Sequence, residues 1–336
     1  FFGKENQDKD GNDNYFLKSN YLPQFTTVIG AIRFWVLLAT DNFKNGTIND
    51  KNKANDTIGK ESFSLNSSFD FGAIQQFSNL YLLDKNNKKI IPAPLWLDTQ
   101  NTYFQWDENI KCPILPTYDP KKSYPELFTN GSEEIQYKDI FAEKENSHNR
   151  KKDRENNNED SFYKTQTFSL KNKFAFGVTV EFSKDIELAQ SPLVFKIGGE
   201  NKLFKVEIIK DVLKTEQEIL NQYSNDKYLK LIFTSDAIIQ KLDKTDYLFG
   251  IIKTKNFKSL YAQLDKIENY NALDKKETSK KYYTKSKLFQ IIEAGSTLYF
   301  KDIEQATNFS EKYIKSESHK KAGINQTILL QPKTKS

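Results

Sequence analysis

The chain has 336 residues, 37% of them hydrophobic, and a formal net charge of +5. That length suffices for two domains of ordinary size, and a mean hydropathy of −0.71 implies a very polar surface over a core rich in Phe and Tyr, which number 26 and 17. The single cysteine, Cys112, excludes an internal disulfide and is expected to be an inert packed residue of a reducing compartment; no apolar run approaches the roughly 18–20 residues of a membrane-spanning helix.

Residues 1–23 have no clear period and read as a loop. The stretch "QFTTVIGAIRFWVLLAT" (24–40) predicts a helix over Thr27–Ala39, with Pro23 before it and Thr26 or Thr27 as N-cap. Its apolar residues leave almost no polar face, which is the pattern of a buried helix. Yet it carries Gly30, which costs roughly 1 kcal/mol inside a helix, and Arg33, which must find a partner if buried. Residues 41–60 are rich in Asn, Lys and Asp and read as a surface loop. Residues 80–98 form a hairpin about Asp84-Lys-Asn-Asn-Lys, its second arm demoted by prolines to an edge or irregular strand.

Residues 107–160 read as loop-dominated, and 143–161 lack apolar side chains and are expected to be mobile. The stretch 165–182 predicts a second hairpin, with Phe174, Phe176, Val178 and Val180 alternating. Beyond Ser191, "PLVFKIGGENKLFKVEII" reads as two strands turning at Gly198-Gly199. Strands are also predicted at 228–235, at 288–302 on either side of Ala294-Gly295, and at 323–331, with an amphipathic helix at 302–316. The inventory gives an α+β fold with antiparallel sheets, in two domains at 1–185 and 186–336, the first with a polar insertion near 99–161.

Catalytic groups are sparse. The only histidines, His148 and His319, stand in Lys-rich polar sequence with no Cys, Ser or second His beside them, so they read as bystanders. A lone His could still serve metal-free RNA cleavage. "DKDGNDNYFLKS" (8–19) imitates a calcium loop, but Asp13 stands where Gly is needed and Ser19 where a bidentate Glu is needed. "IGGEN" (197–201) lacks the Lys-Ser/Thr end of a phosphate-binding loop. It reads either as a plain hairpin turn or as a nest of backbone N–H groups for phosphate, with Gly198 and Gly199 flanked by Lys196 and Lys202. No metal site and no cofactor is expected.

Several blocks occur in an order that resembles the RAMP proteins of type III CRISPR effector complexes, nearest to the third subunit of the Cmr (type III-B) complex. They are "FFGKE", "YFLKSNYLPQFTTVIGAIRFWVLL", "IGKESF", "FGAIQQFSNLYLL", "FYKTQTFSLKNKFAFGVTVEF", "FKIGGENKLFKV" and "QIIEAGSTLYF". The family's glycine-rich C-terminal loop is reduced here to "KKAGINQ" (320–326), with one glycine.

The resemblance implies two tandem ferredoxin-like, RRM-related domains with long loop insertions, in the cytoplasm. It implies a non-catalytic subunit that holds the 5′ handle of the CRISPR RNA and touches the large polymerase/cyclase-like subunit and the first backbone RAMP. The alternatives are a metal-independent CRISPR RNA-processing ribonuclease using His148 or His319, the equivalent subunit of a Csm (type III-A) complex, and a stand-alone RNA-binding module. With RNA as partner, Thr26, Thr27, Gly30 and Arg33 form one candidate contact and Lys196, Gly198, Gly199 and Lys202 another. Thr26, Gly30 and Arg33 share a helical face, where Arg33 either grips phosphate or pairs with a buried carboxylate while Gly30 admits a close strand.

Overall fold

The computed structural model describes residues 14–332, apart from 65–69, 96–104, 115–126, 151–160, 189–192, 198–201, 210–212, 225–227, 263–282 and the single positions 46, 61, 108, 110, 111 and 240. The fold is α+β, with several small sheets that are antiparallel apart from one parallel pair.

Two sheets form the frame. The five-stranded one runs in the order Glu134–Gln136, Leu127–Thr129, Lys89–Pro92, Tyr81–Asp84, Phe174–Gly177. The hairpin at 81–92 forms as predicted. Its second arm, however, is interior: Lys89–Pro92 pairs with Leu127–Thr129 as well as with Tyr81–Asp84, and the proline stands at its very end. The four-stranded sheet runs in the order Phe249–Ile251, Thr297–Phe300, Leu229–Phe233, Thr327–Leu330. All five residues of Leu229–Phe233 and all four of Thr297–Phe300 are buried.

Both faces of the four-stranded sheet are therefore covered. On one, Leu231, Phe233, Leu298 and Phe300 pack against Ala306 and Phe309 of the helix Ile303–Tyr313, which forms where predicted and is capped by Asp302. On the other, Ile232 and Leu330 pack with Ile219, Leu220 and Tyr223 from the segment between the sheets and with Tyr81, Leu83 and Ile91 of the five-stranded sheet. A short helix, Glu216–Leu220, opens with a capping box of Thr215 and Glu218, and Lys89 pairs with Glu216 across this layer.

Several expectations are corrected. The stretch 165–182 is not a hairpin: Ser161–Leu170 pairs with Phe141–Arg150, Phe174–Gly177 with Tyr81–Asp84, and Val180–Phe182 with Ile74–Phe77. Residues 141–150 form a ten-residue strand despite their polarity, because a full ladder to 161–170 satisfies the backbone. Residues 14–18, read as loop, pair in parallel with 162–166. Within 41–60 the segment Lys51–Ile58 is a helix, capped by Asp50, whose carboxylate accepts from the N–H groups of Asn52 and Lys53.

The loop 322–327 welds the halves of the chain. Gly323 has φ +73°, and a β-carbon there would lie 2.3 Å from the Ser78 carbonyl oxygen. The Gln326 side chain donates to the Phe77 carbonyl (3.3 Å) and accepts from the Asn79 N–H (3.2 Å). The Gln326 main chain bonds Thr234 N–H (3.0 Å) and the Ser235 hydroxyl (2.8 Å). Gly323→Ala should therefore lower stability by at least about 1–3 kcal/mol. Far- and near-ultraviolet dichroism should report one coincident, lowered melting transition, whereas two separated transitions would show halves that melt independently.

Candidate nucleic-acid interface

Helix α1 spans Phe25–Ala39, two residues longer at its start than predicted. Its N-cap is Gln24 rather than a threonine; no side chain caps it, and the Gln24 carbonyl receives the N–H groups of Thr27 and Val28. The first turn leaves Thr26 and Thr27 half-exposed and Gly30 exposed. A β-carbon at Gly30 would meet nothing within 4 Å, so the glycine admits no close strand; it opens one side of the helix near its positive end.

Arg33, three residues on and about 60° round the helix, turns inward instead. It is 7% exposed, and its Nε donates to the Ile58 carbonyl (2.8 Å) while one Nη donates to the Gly59 carbonyl (3.1 Å). These are the terminal carbonyls of α2, Lys51–Ile58, which carry the negative end of that helix. The guanidinium thus caps α2. Burial lowers its pKa to about 10, opposed by the attraction of Asp70, so it stays charged at neutral pH. The Phe71 ring lies 5.5 Å from the guanidinium carbon. Behind it the backbone is tight: a β-carbon at Gly59, where φ is +80°, would lie 1.8 Å from the Asp70 carbonyl oxygen.

The second candidate cluster is placed only in part. Leu193–Ile197 and Lys202–Val206 pair as a two-stranded ladder, as predicted, with Lys196 opposite Leu203 and Lys202 opposite Ile197. Gly198 and Gly199 lie outside the described residues, as do the first half of the calcium-like loop (8–13) and the side chains of His148 and Cys112. Among the described residues no group of three or more His, Cys, Asp or Glu could hold a metal ion, and no helix is long and apolar enough to cross a membrane. His319 lies in the short helix Glu317–Lys321, its Nδ1 buried without a hydrogen-bond partner.

Sequence reasoning missed a polar cleft of about 320 Å³ beside the weld. Its floor is Gln76 and Ser78 from one strand and Thr179 and Glu181 along the other; Lys320 and Gln326 line its wall. The signal was present in the i, i+2 spacing of both polar pairs, but the two strands are about a hundred residues apart and only their pairing joins them.

The family model described as CRISPR-associated protein (Cas_Cmr3) matches residues 76–332, most of the chain. The chain belongs to this family. It is a Cmr3-like RAMP subunit of a type III-B CRISPR effector. Two solved structures are similar. One is titled as the type III-B Cmr-beta bound to cognate target RNA, with 12% identity, a TM-score of 0.48, and 93% of this chain and 87% of that one covered. The other is the same assembly with cognate target RNA and AMPPnP in state 1, with 13% identity, a TM-score of 0.45, and 93% and 89% covered. No curated protein matches the chain. The Cmr3 match begins after α1 and α2, so the capping of α2 by Arg33 is read from geometry alone.

Two outcomes follow from this geometry. Arg33→Ala strands two carbonyls and should cost about 3 kcal/mol; Arg33→Lys, lacking the fork, should recover part of it, as thermal melting will show. Burial of His319 lowers its pKa. Its folded pKa thus lies below the unfolded one, so the neutral form is favoured on folding and that stability is lost as pH falls below about 6.5. Melting temperature should fall more steeply from pH 8 to pH 5 in the wild type than in His319→Gln.

Proposed function

We propose that this Cmr3-like chain is a non-catalytic subunit that holds the 5′ handle of the CRISPR RNA and bridges the large cyclase-like subunit to the first backbone RAMP. Its match to the Cas_Cmr3 model over residues 76–332 carries the reading. Its fold would be two tandem ferredoxin-like domains. In the second half the sheet order is second strand, third, first, fourth, all antiparallel, with the helix Ile303–Tyr313 in the second crossover. That is the order of a split βαβ domain. Between Phe233 and Phe249, the first crossover carries no helix among the described residues.

Geometry limits where RNA can lie. An RRM stacks bases on an open sheet face, and here both faces of the four-stranded sheet are buried. This supports a reading in which helix starts and loops hold the RNA. The opening turn of α1 has no side-chain cap, and with the Thr27 and Val28 N–H groups taken by the Gln24 carbonyl it is the N–H groups before Thr27, at Phe25 and Thr26, beside the bare side at Gly30, that suit a phosphate. Arg33 serves that surface from inside, by fixing α2 against α1. The Lys196, Gly198, Gly199 and Lys202 turn is a second phosphate contact in this proposal.

The test is an RNA titration with the full chain and a repeat-derived handle at several salt concentrations. Thr26→Glu and Gly30→Glu should each weaken binding by about tenfold without lowering the melting temperature. Binding should fall with salt as expected for phosphate contacts. The chain alone should leave the RNA intact. Unchanged affinity in both variants would overturn the α1 contact; metal-independent cleavage lost on His148→Ala or His319→Ala would instead make the chain a processing ribonuclease.

A further inference from the structure

The cleft beside the weld has a specific chemistry. Gln76 and Ser78 lie two apart on one strand and Thr179 and Glu181 two apart along the other, with Glu181 opposite Gln76. Their neighbours Phe77, Val180 and Phe182 turn into the core. The floor is thus the polar side of a ladder whose other side is anchored. Thr179 N–H donates to the Ser78 hydroxyl (2.9 Å), which donates onward to the Asn79 carbonyl (2.8 Å). The wall is fixed by the Gln326 bonds described above. Gln76, Glu181 and Lys320 make no side-chain hydrogen bond or ion pair among the described residues. They are three free polar groups on a rigid frame.

Their identities select a ligand class. One carboxylate is too few for a cation. A phosphate inside the cleft would meet Glu181, and Lys320 alone would offset that charge. A carboxylate beside an amide instead suits N–H donors. An exocyclic amine of adenine, cytosine or guanine donates to an acid or amide acceptor, and uracil has no such amine. Ser78 and Thr179 can meet sugar hydroxyls. Lys320, at the wall, can reach a phosphate outside. A volume of about 320 Å³ admits one nucleoside.

We propose that this cleft is a subsite for one unstacked ribonucleotide, holding the amino-bearing edge of its base and its sugar hydroxyls while its phosphate stays outside. The inference rests on the RNA-holding reading and adds base selectivity to it.

The experiment is fluorescence anisotropy of the full chain with short single-stranded oligomers of cytidine, adenosine and uridine, and with the deoxycytidine oligomer, at several salt concentrations. The wild type should prefer cytidine and adenosine to uridine by about fivefold, the effect of one hydrogen bond. It should also prefer the ribose to the deoxyribose form. Glu181→Ala and Gln76→Ala should each abolish the base preference while leaving the salt slope and the melting temperature unchanged, since neither side chain bonds within the described fold. Lys320→Gln should keep the preference and make the salt slope shallower by about one phosphate. Binding without any base preference in the wild type, or a preference that survives in both floor variants, would overturn the subsite alone. Absence of salt-dependent RNA binding by the wild type would overturn the RNA-holding reading with it.

Discussion

The amide of Gln326 is the constraint on which the remaining geometry depends. It reaches from the start of the last strand to the backbone on either side of Ser78, while its own main chain holds Thr234 and Ser235. These partners lie some 150 residues apart in sequence. Gly323 brings the loop close enough, since a side chain there would strike the Ser78 carbonyl. Ile324 and Asn325 are almost fully buried beside it. A half-buried amide with several backbone partners favours one arrangement, because an alternative leaves those partners less well satisfied. Here that arrangement sets the wall of the cleft over its floor.

The same economy appears at Arg33. A buried cation needs negative charge, and the carbonyl end of α2 supplies it without a buried carboxylate. The two answer each other: among the described residues α2 buries Ala54, Thr57 and Ile58, and Arg33 donates to its terminal carbonyls with Asp70 adding a charge attraction. The exposed side of α1 is thereby left free, with Gly30 and the half-exposed threonines on it.

Much of this was legible in the sequence, where the signal was local. The hairpin about residues 85–88, the strand near 229–233 and the helix from Asp302 carry turn, alternation and capping chemistry within a few residues. The ordered blocks were enough for the family. What could not be read is non-local. Nothing within 165–182 says that its strands pair with three different partners. The strand 141–150 looks unstructured because its stability lies in its ladder. The helix α2 was masked by its Asn and Lys content, although Asp50 and Gly59 bracket it correctly. The partner of Arg33 is backbone, which no search for a carboxylate can find. The cleft needed the pairing of Glu181 with Gln76 before it existed at all.

The central claim is that this Cmr3-like subunit holds RNA on surfaces fixed by the Gln326 weld and the Arg33 cap. Hydrogen exchange of the full chain, with and without the CRISPR RNA handle, tests it most directly. Amides at 25–30 and along 76–78, 179–181 and 320–327 should gain protection when RNA binds. Protection confined to the 141–170 ladder, with those segments unchanged, would contradict the account.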